Sequence, residues 1–299
     1  MNRLAQTARS YIATVGMFDG VHRGHVFMLK QLREIALREG LDTLVLTFSH
    51  HPLEFIAPAR APKMLTTAEQ RVALIDATGY ADKVEVLNYT HDDFKRIGAD
   101  FLKLLQERYQ VTAFAMGFNN HIGCDRAGIE DLRTASLPVY GIGPLAEDVD
   151  VSSSAIRAFL SDGNLAAAEN ALGRPYKVVG QVVSGNQIGR TIGFPTANVS
   201  LSDNDLMLPA RGVYAVDVRL STEETFRGMA NVGVRPTVAK EPTVDTLEVN
   251  IFDYNGNLYG EEVDVTFIAR IREERAFPSI EALRKQLEDD RRVALNINR

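Results

Sequence analysis

Two rhythms of apolar residues run along this chain. In the first half, short unbroken apolar runs alternate with stretches in which apolar residues recur every three or four positions. The runs Tyr11–Val15, Thr43–Phe48, Lys83–Leu87, Val111–Met116 and Pro138–Ile142 predict strands. The stretches Gly24–Glu39, Ala68–Thr78, Asp92–Arg108 and Ile129–Arg133 predict helices. In the first of these, Val26, Phe27, Met28, Leu29, Leu32, Ile35 and Ala36 form one apolar face. Thr66-Thr67-Ala68-Glu69 reads as a capping box at the start of the second. Strand–helix alternation predicts a Rossmann-like α/β domain, a parallel sheet with helices on both faces.

Residues 151–172 read as helical, with Ser152, Ser153 and Ser154 placed to cap and Ile156, Phe159 and Leu160 on one face. Gly173-Arg174-Pro175 ends that run, which predicts two domains, 1–173 and 174–299. Beyond it the rhythm shortens. Tyr176–Val183, Val213–Leu220, Phe226–Val232, Thr246–Phe252 and Val263–Ile268 read as strands separated by Gly, Asn and Pro turns. This half is expected to be mainly β, a small antiparallel barrel closed by a terminal helix over Ser279 to about Arg292. The charged run Glu288-Asp289-Asp290-Arg291-Arg292 reads as a solvated helix end.

Composition narrows the class of function. With 299 residues and 45% hydrophobic content, both halves can bury a core. A net charge of −6 with no long Lys/Arg run argues against nucleic acid as a partner. No apolar stretch approaches the roughly 20 residues of a membrane helix, and the N-terminal residues show no signal-peptide pattern. Cys124 is the one cysteine, which excludes an internal disulfide and fits a reducing, cytoplasmic setting.

Candidate chemistry begins at Gly16-Met-Phe-Asp-Gly-Val-His-Arg-Gly-His25, where a strand turns into a helix. Free N–H groups and the positive end of the helix dipole make such a turn an anion site. His22 and His25, three apart, can face one phosphate chain. The helix terminus favours neutral, hydrogen-bond-donating histidines there. Ser152 and Ser153 at a second helix start, with Arg157 one turn in, can also cradle phosphate. In the second half, Gly180-x4-Gly185-x3-Gly189-Arg190-Thr-Ile-Gly193-Phe194-Pro-Thr196-Ala-Asn198 sets a glycine-rich loop before two hard oxygen ligands, Thr196 and Asn198. Their i, i+2 spacing suits Mg²⁺. Glu248 lies mid-strand on the face opposite Leu247, Val249 and Ile251, either solvated or in a site.

These motifs resemble a known family. The first places the chain with the His-x-Gly-His nucleotidyltransferases, and more closely with prokaryotic bifunctional riboflavin kinase/FAD synthetases. Gly193-Phe194-Pro195-Thr196-Ala197-Asn198 resembles the riboflavin kinase hallmark. Asn231-Val-Gly-Val-Arg-Pro-Thr237, Leu247-Glu-Val-Asn250 and Ile271-Arg272-x-Glu274-x2-Phe277 follow in the family's order. The resemblance implies that the C-terminal half phosphorylates riboflavin to FMN with ATP and Mg²⁺. The N-terminal half would then transfer AMP from ATP to FMN, giving FAD and pyrophosphate. It implies Glu248 as kinase base, with His22 and His25 in adenylyl transfer. Gly16, Phe18, Asp19, Gly24, Asn119, Ser152, Ser153 and Arg157 would bind the adenylyltransferase nucleotide. Gly185, Gly189, Arg190, Thr196 and Asn198 would bind the kinase nucleotide, with Thr196 and Asn198 on the metal. Gly193, Phe194, Arg272 and Phe277 would hold the flavin. Partners are small molecules, and the chain is expected to be a monomer or weak homo-oligomer. Ser49, His50, Asn120 and Ile122 depart from the family pattern. They leave open a kinase with an impaired adenylyltransferase half. A flavin-binding sensor is the rival from another class.

Overall fold

The computed structural model describes residues 9–146, 151–184, 189, 192–201, 206–234 and 245–297. The chain divides into two compact units, Met1–Pro62 with Thr66–Asp150, and Lys63–Leu65 with Val151–Arg299.

The first unit is a five-stranded parallel sheet. Its strands are β1 (Tyr11–Val15), β2 (Asp42–Phe48), β3 (Lys83–Leu87), β4 (Val111–Gly117) and β5 (Val139–Ile142), in the order β3-β2-β1-β4-β5. Helices α1 (Arg23–Glu39), α2 (Pro52–Ile56), α3 (Ala68–Ala77) and α4 (Gly98–Tyr109) connect them. Each face of the sheet buries its own core. Ile12, Val45, Ala113 and Ala115 lie with Leu29 and Leu32 of α1, while Ala13, Leu44, Phe114 and Met116 lie with Leu102 and Leu105 of α4. All five predicted strands are present, because a strand buried on both faces reads as a continuous apolar run.

Three local expectations change. The capping box that opens α3 is Thr67 with Gln70, one residue later than predicted. The fourth helix begins at Gly98, after a 3₁₀ turn at Asp93–Lys95, rather than at Asp92. Residues 129–133 form turns instead of a helix. They pack Ile129 and Leu132 without the length that a stable helix needs.

In the second unit, β6 (Lys177–Val183), β7 (Ala197–Leu201), β8 (Gly212–Leu220), β9 (Thr225–Val234), β10 (Asp245–Ile251) and β11 (Glu262–Arg272) close an antiparallel barrel, ordered β10-β7-β6-β11-β8-β9. Strand β7 had no counterpart in the sequence reading. Helices α5 (Ser153–Ser161) and α6 (Leu165–Leu172) share the barrel's core. Ile156, Leu160 and Ala168 bury with Tyr214, Val216, Val265 and Phe267. The compact units therefore part at residue 150, whereas the sequence reading drew its boundary at 173, where the helical run ends. Helix α7 (Ile280–Asn296) covers part of the outer wall, where Leu287 and Ala294 meet Phe194, Ala215, Met229 and Phe252.

Candidate active sites

Strand order in the first unit reverses between β1 and β4. In open parallel sheets ligands bind at the carboxyl ends of strands at such a switch point. The segment after β1 is that end. Gly16 stays on the sheet through its N–H to the Leu46 carbonyl (3.1 Å). The chain then takes left-handed conformations at Phe18 (φ 50°), Gly20 (φ 78°) and Val21 (φ 39°). Such values strain a non-glycine residue, most of all a β-branched one.

Two threonines hold the strained turn. Thr47 donates its hydroxyl to the Met17 carbonyl at 3.0 Å. Thr66 accepts the Gly20 N–H and donates both its N–H and its hydroxyl to Asp19 Oδ1, each at 3.1 Å. Asp19 is thereby buried and tied to Thr66, and Phe18 is buried in the α1-side core. Both sit where they shape the turn.

His22 caps α1: its Nδ1 accepts the His25 backbone N–H at 3.3 Å. A ring that accepts at Nδ1 carries its proton on Nε2 when neutral. The His22 and His25 rings stack with centroids 3.6 Å apart, and Phe18 meets His25 edge-on at 5.2 Å. The i, i+3 pair thus shares one face as expected, and Gly24 lies between the two histidines in sequence, in the first turn of α1. Asn119 lies exposed in the turn after β4. Of the departures from the family pattern, Ile122 is a buried core residue, while His50 is exposed and contacts Ser49 and Phe55.

Ser152, Ser153 and Arg157 belong to the second unit. Ser152 Oγ accepts the Ala155 N–H at 3.1 Å, an N-cap of α5, and Arg157 Nε donates to the Lys63 carbonyl at 2.6 Å.

The barrel builds its site on the outside of its wall. Leu247 and Val249 enter the barrel core, so Glu248 and Asn250 point to the other side. In register, Glu248 faces Asn198 on β7 and Asn231 on β9. Residues paired across antiparallel strands share a side. A carboxylate is therefore flanked by two amides at one level of the wall. Asn250 donates its Nδ2 to the Pro195 carbonyl at 2.6 Å, which holds the Phe194–Thr196 segment against β10. Gly189 accepts from Ile192 and Phe194, and a Cβ there would overlap the Phe194 carbonyl oxygen. Gly193 takes φ 86°, so Phe-Pro-Thr leaves a tight loop. Gly185 and Arg190 lie outside the described residues, as do Arg235, Pro236 and Thr237.

Two cavities adjoin this wall. One, of about 360 Å³, is lined by Gly189, Phe194, Thr196, Asn231, Glu248, Asn250, Arg272, Glu274, Arg275 and Phe277. The other, of about 410 Å³, is lined by Pro195, Thr196, Ala197 and the turn from Tyr254 to Tyr259. Thr196 belongs to both. Arg272 lines the first cavity, but Asp290 grips its guanidinium through Nε and Nη2 at 2.7–3.1 Å. Phe277 lies between two cations, 5.5 Å from Arg272 and 5.0 Å from Arg275. Asp290, read as part of a solvated helix end, is 1% exposed. It faces inward because α7 is amphipathic and Asp290 falls on the side that carries Leu287 and Ala294.

Sequence reasoning gave Asn231, Asn250, Asp290, Thr47 and Thr66 no role in a site, reading Thr66 only as a helix cap and Asp290 only as part of a solvated helix end. The available signal was the strand face that Asn250 shares with Glu248.

The chain as a whole has matches among known proteins. The FAD synthetase family model matches residues 4–154, and the riboflavin kinase family model matches residues 172–298. The chain belongs to the bifunctional riboflavin kinase/FMN adenylyltransferases. A relative of that name from Haemophilus influenzae is 37% identical over 286 residues, covering 93% of this chain and 91% of its own. One from Escherichia coli K12 is 36% identical, covering 95% and 91%. A solved Streptococcus pneumoniae structure, described as a macrolide-efflux protein, is 31% identical, with TM-score 0.87 over 98% of this chain and 96% of that one. Among the described residues here, no helix is long and apolar enough to cross a membrane. The N-terminal part is thus the FMN adenylyltransferase and the C-terminal part the riboflavin kinase, both using ATP.

Proposed function

We propose that riboflavin phosphorylation takes place on the outer barrel wall at Glu248. The observation that carries this is Thr196, which borders both cavities, one of them holding Glu248. Riboflavin occupies the Glu248 cavity, against Phe194 and Phe277, and ATP the cavity under the Tyr254–Tyr259 turn. The two reacting groups then meet at Thr196. Glu248 accepts the proton of the riboflavin 5′-hydroxyl as its oxygen attacks the γ-phosphorus of ATP, and ADP leaves. Asn198 and Asn231 stand opposite Glu248 in the ladder, and Asn231 Nδ2 donates to Glu274 Oε1 at 3.3 Å. Gly189 gives the nucleotide loop its close approach, with Gly185 and Arg190 assigned from the sequence motif.

The donors Thr196 and Asn198 fit Mg²⁺. They offer neutral oxygens, and among the described residues no cluster of three acidic, His or Cys side chains could hold a softer or fully caged ion. Magnesium keeps waters and substrate phosphates as its other ligands. When bound it would neutralise developing phosphate charge.

For adenylyl transfer, the FMN phosphate attacks the α-phosphorus of ATP and pyrophosphate leaves. His22 and His25 donate hydrogen bonds to the phosphates from the start of α1, beside the N–H groups of the 16–24 turn. Ser152, Ser153 and Arg157 we assign to phosphate binding, and Asn119 to the nucleotide. Functionally, residues 1–173 would make up the adenylyltransferase and 174–299 the kinase. The setting is cytoplasmic, as the single Cys124 supports, and the chain acts as a monomer or weak homo-oligomer on small-molecule partners alone.

The test is to incubate the protein with riboflavin, ATP and Mg²⁺, and to separate FMN and FAD by chromatography. The wild type should accumulate both. Glu248→Gln should lower FMN formation by about 10³-fold yet convert supplied FMN to FAD, and kinase turnover near the wild-type rate would remove Glu248 from its role.

A further inference from the structure

The Arg272–Asp290 pair has no place in the chemistry above, yet it closes a ring of contacts at the cavity wall. Asp290 accepts three hydrogen bonds from Arg272 and one from Gln286 Nε2 at 2.7 Å. Gln286 in turn accepts from Arg275. Arg272 and Arg275 both cover Phe277, and all three line the cavity that holds Glu248. The pair is desolvated, with side-chain exposures of 17% and 1%. A buried ion pair contributes little net stability against an apolar pair of the same shape, whereas removing one partner strands a charge. Helix α7 also docks one turn away on either side, through Leu287 and Ala294. It stands where the strand β11 leaves the barrel and becomes the wall of the cavity.

We infer that Asp290 is a positioning residue for riboflavin. By fixing the guanidinium of Arg272, it holds the Arg272–Phe277 wall in the shape that receives the flavin ring. Arg272 then acts as a strut for Phe277. This rests on the reading of the Glu248 cavity as the riboflavin site. A preformed wall lowers the ordering cost of binding and leaves the phosphoryl-transfer step untouched.

The experiment uses the full-length chain and measures FMN formation at varied riboflavin and varied ATP. Asp290→Asn should raise the riboflavin KM by about tenfold, as expected for loss of a charge-assisted contact. The kcat and the ATP KM should stay within about twofold. Conversion of supplied FMN to FAD, carried out by the other half, should be unchanged. Asp289→Asn, its exposed neighbour, is the control. If Asp290 acts through Arg272, the double variant with Arg272→Met should raise the riboflavin KM no further than Arg272→Met alone. Multiplying effects would overturn the inference, as would an unchanged riboflavin KM or a fall in kcat alone. A rise in ATP KM instead would overturn the assignment of the cavity to riboflavin. Should Asp290→Asn fail to fold, Gln286→Ala removes only the Gln286 links. It should raise the riboflavin KM by about threefold, and no rise would sink the idea.

Discussion

The two halves carry related chemistry, phosphoryl and adenylyl transfer from ATP, on opposite structural plans. In the sheet unit, the glycines, Phe18, Asp19 and both histidines lie within ten consecutive residues at one strand-to-helix turn. In the barrel unit, Thr196, Asn198, Asn231, Glu248, Arg272 and Phe277 come from four strands and two loops, and Asp290 reaches Arg272 from the terminal helix. The turn is strained and needs pins from elsewhere, Thr47 and Thr66. The wall is unstrained at Glu248 and obtains its geometry from ladder register. A local plan concentrates the cost of damage in a few residues, while a register plan spreads it.

That contrast can be tested in decreasing order of effect. Glu248→Gln should lower FMN formation by about 10³-fold, within the range of a lost general base, with FAD formation from supplied FMN intact. His25→Ala should lower FAD formation by about 10²-fold and leave FMN formation alone. Loss of both activities together would break the picture of two separate sites. Asn250→Ala frees the Pro195 carbonyl and should cost about 1–2 kcal/mol, read as a roughly tenfold drop in FMN formation efficiency. A full collapse of activity there would show that the wall is as concentrated as the turn.

The smallest effect is one of stability in the sheet unit. Burial raises the Asp82 carboxyl pKa, but the Thr43 N–H and hydroxyl and the Arg33 guanidinium outweigh it and hold it below the ordinary value. A carboxylate depressed in the folded state adds stability above its unfolded pKa of about 4. That contribution is lost as pH falls through the lowered folded value. Asp82→Asn should therefore be less stable at pH 7, by about 1 kcal/mol, and the gap should close as pH falls below the ordinary carboxylate range. FAD formation at neutral pH and moderate temperature should not change, because Asp82 lies away from the turn.

Legibility followed the same division. The five parallel strands and the His22/His25 turn could be read directly, since buried strands are apolar runs and the turn is contiguous. The wall could be read only at its motif, Gly193 to Asn198, and at Glu248. Strand β7 was missed because its five residues follow a glycine-rich loop and alternate only weakly. Asn231 carries no signal of its own; it matters because register sets it opposite Glu248. Asp290 was misread because five charged residues in a row, Glu288 to Arg292, look solvated, and only the phase of α7 decides which of them turns inward.

By itself, then, the sequence determined the two fold classes, the family and the placement of the residues set by local pattern: His22 and His25 at a helix start, Thr196 and Asn198 two apart, and Glu248 on the polar side of its strand. These follow from periodicities of two and 3.6 and from short motifs. Tertiary structure alone decided that α5 and α6 share the barrel core, that Asn198 and Asn231 flank Glu248, and that Asp290 grips Arg272. Each of those depends on contacts between residues 17 or more positions apart, which strand pairing and helix packing select and no local pattern records.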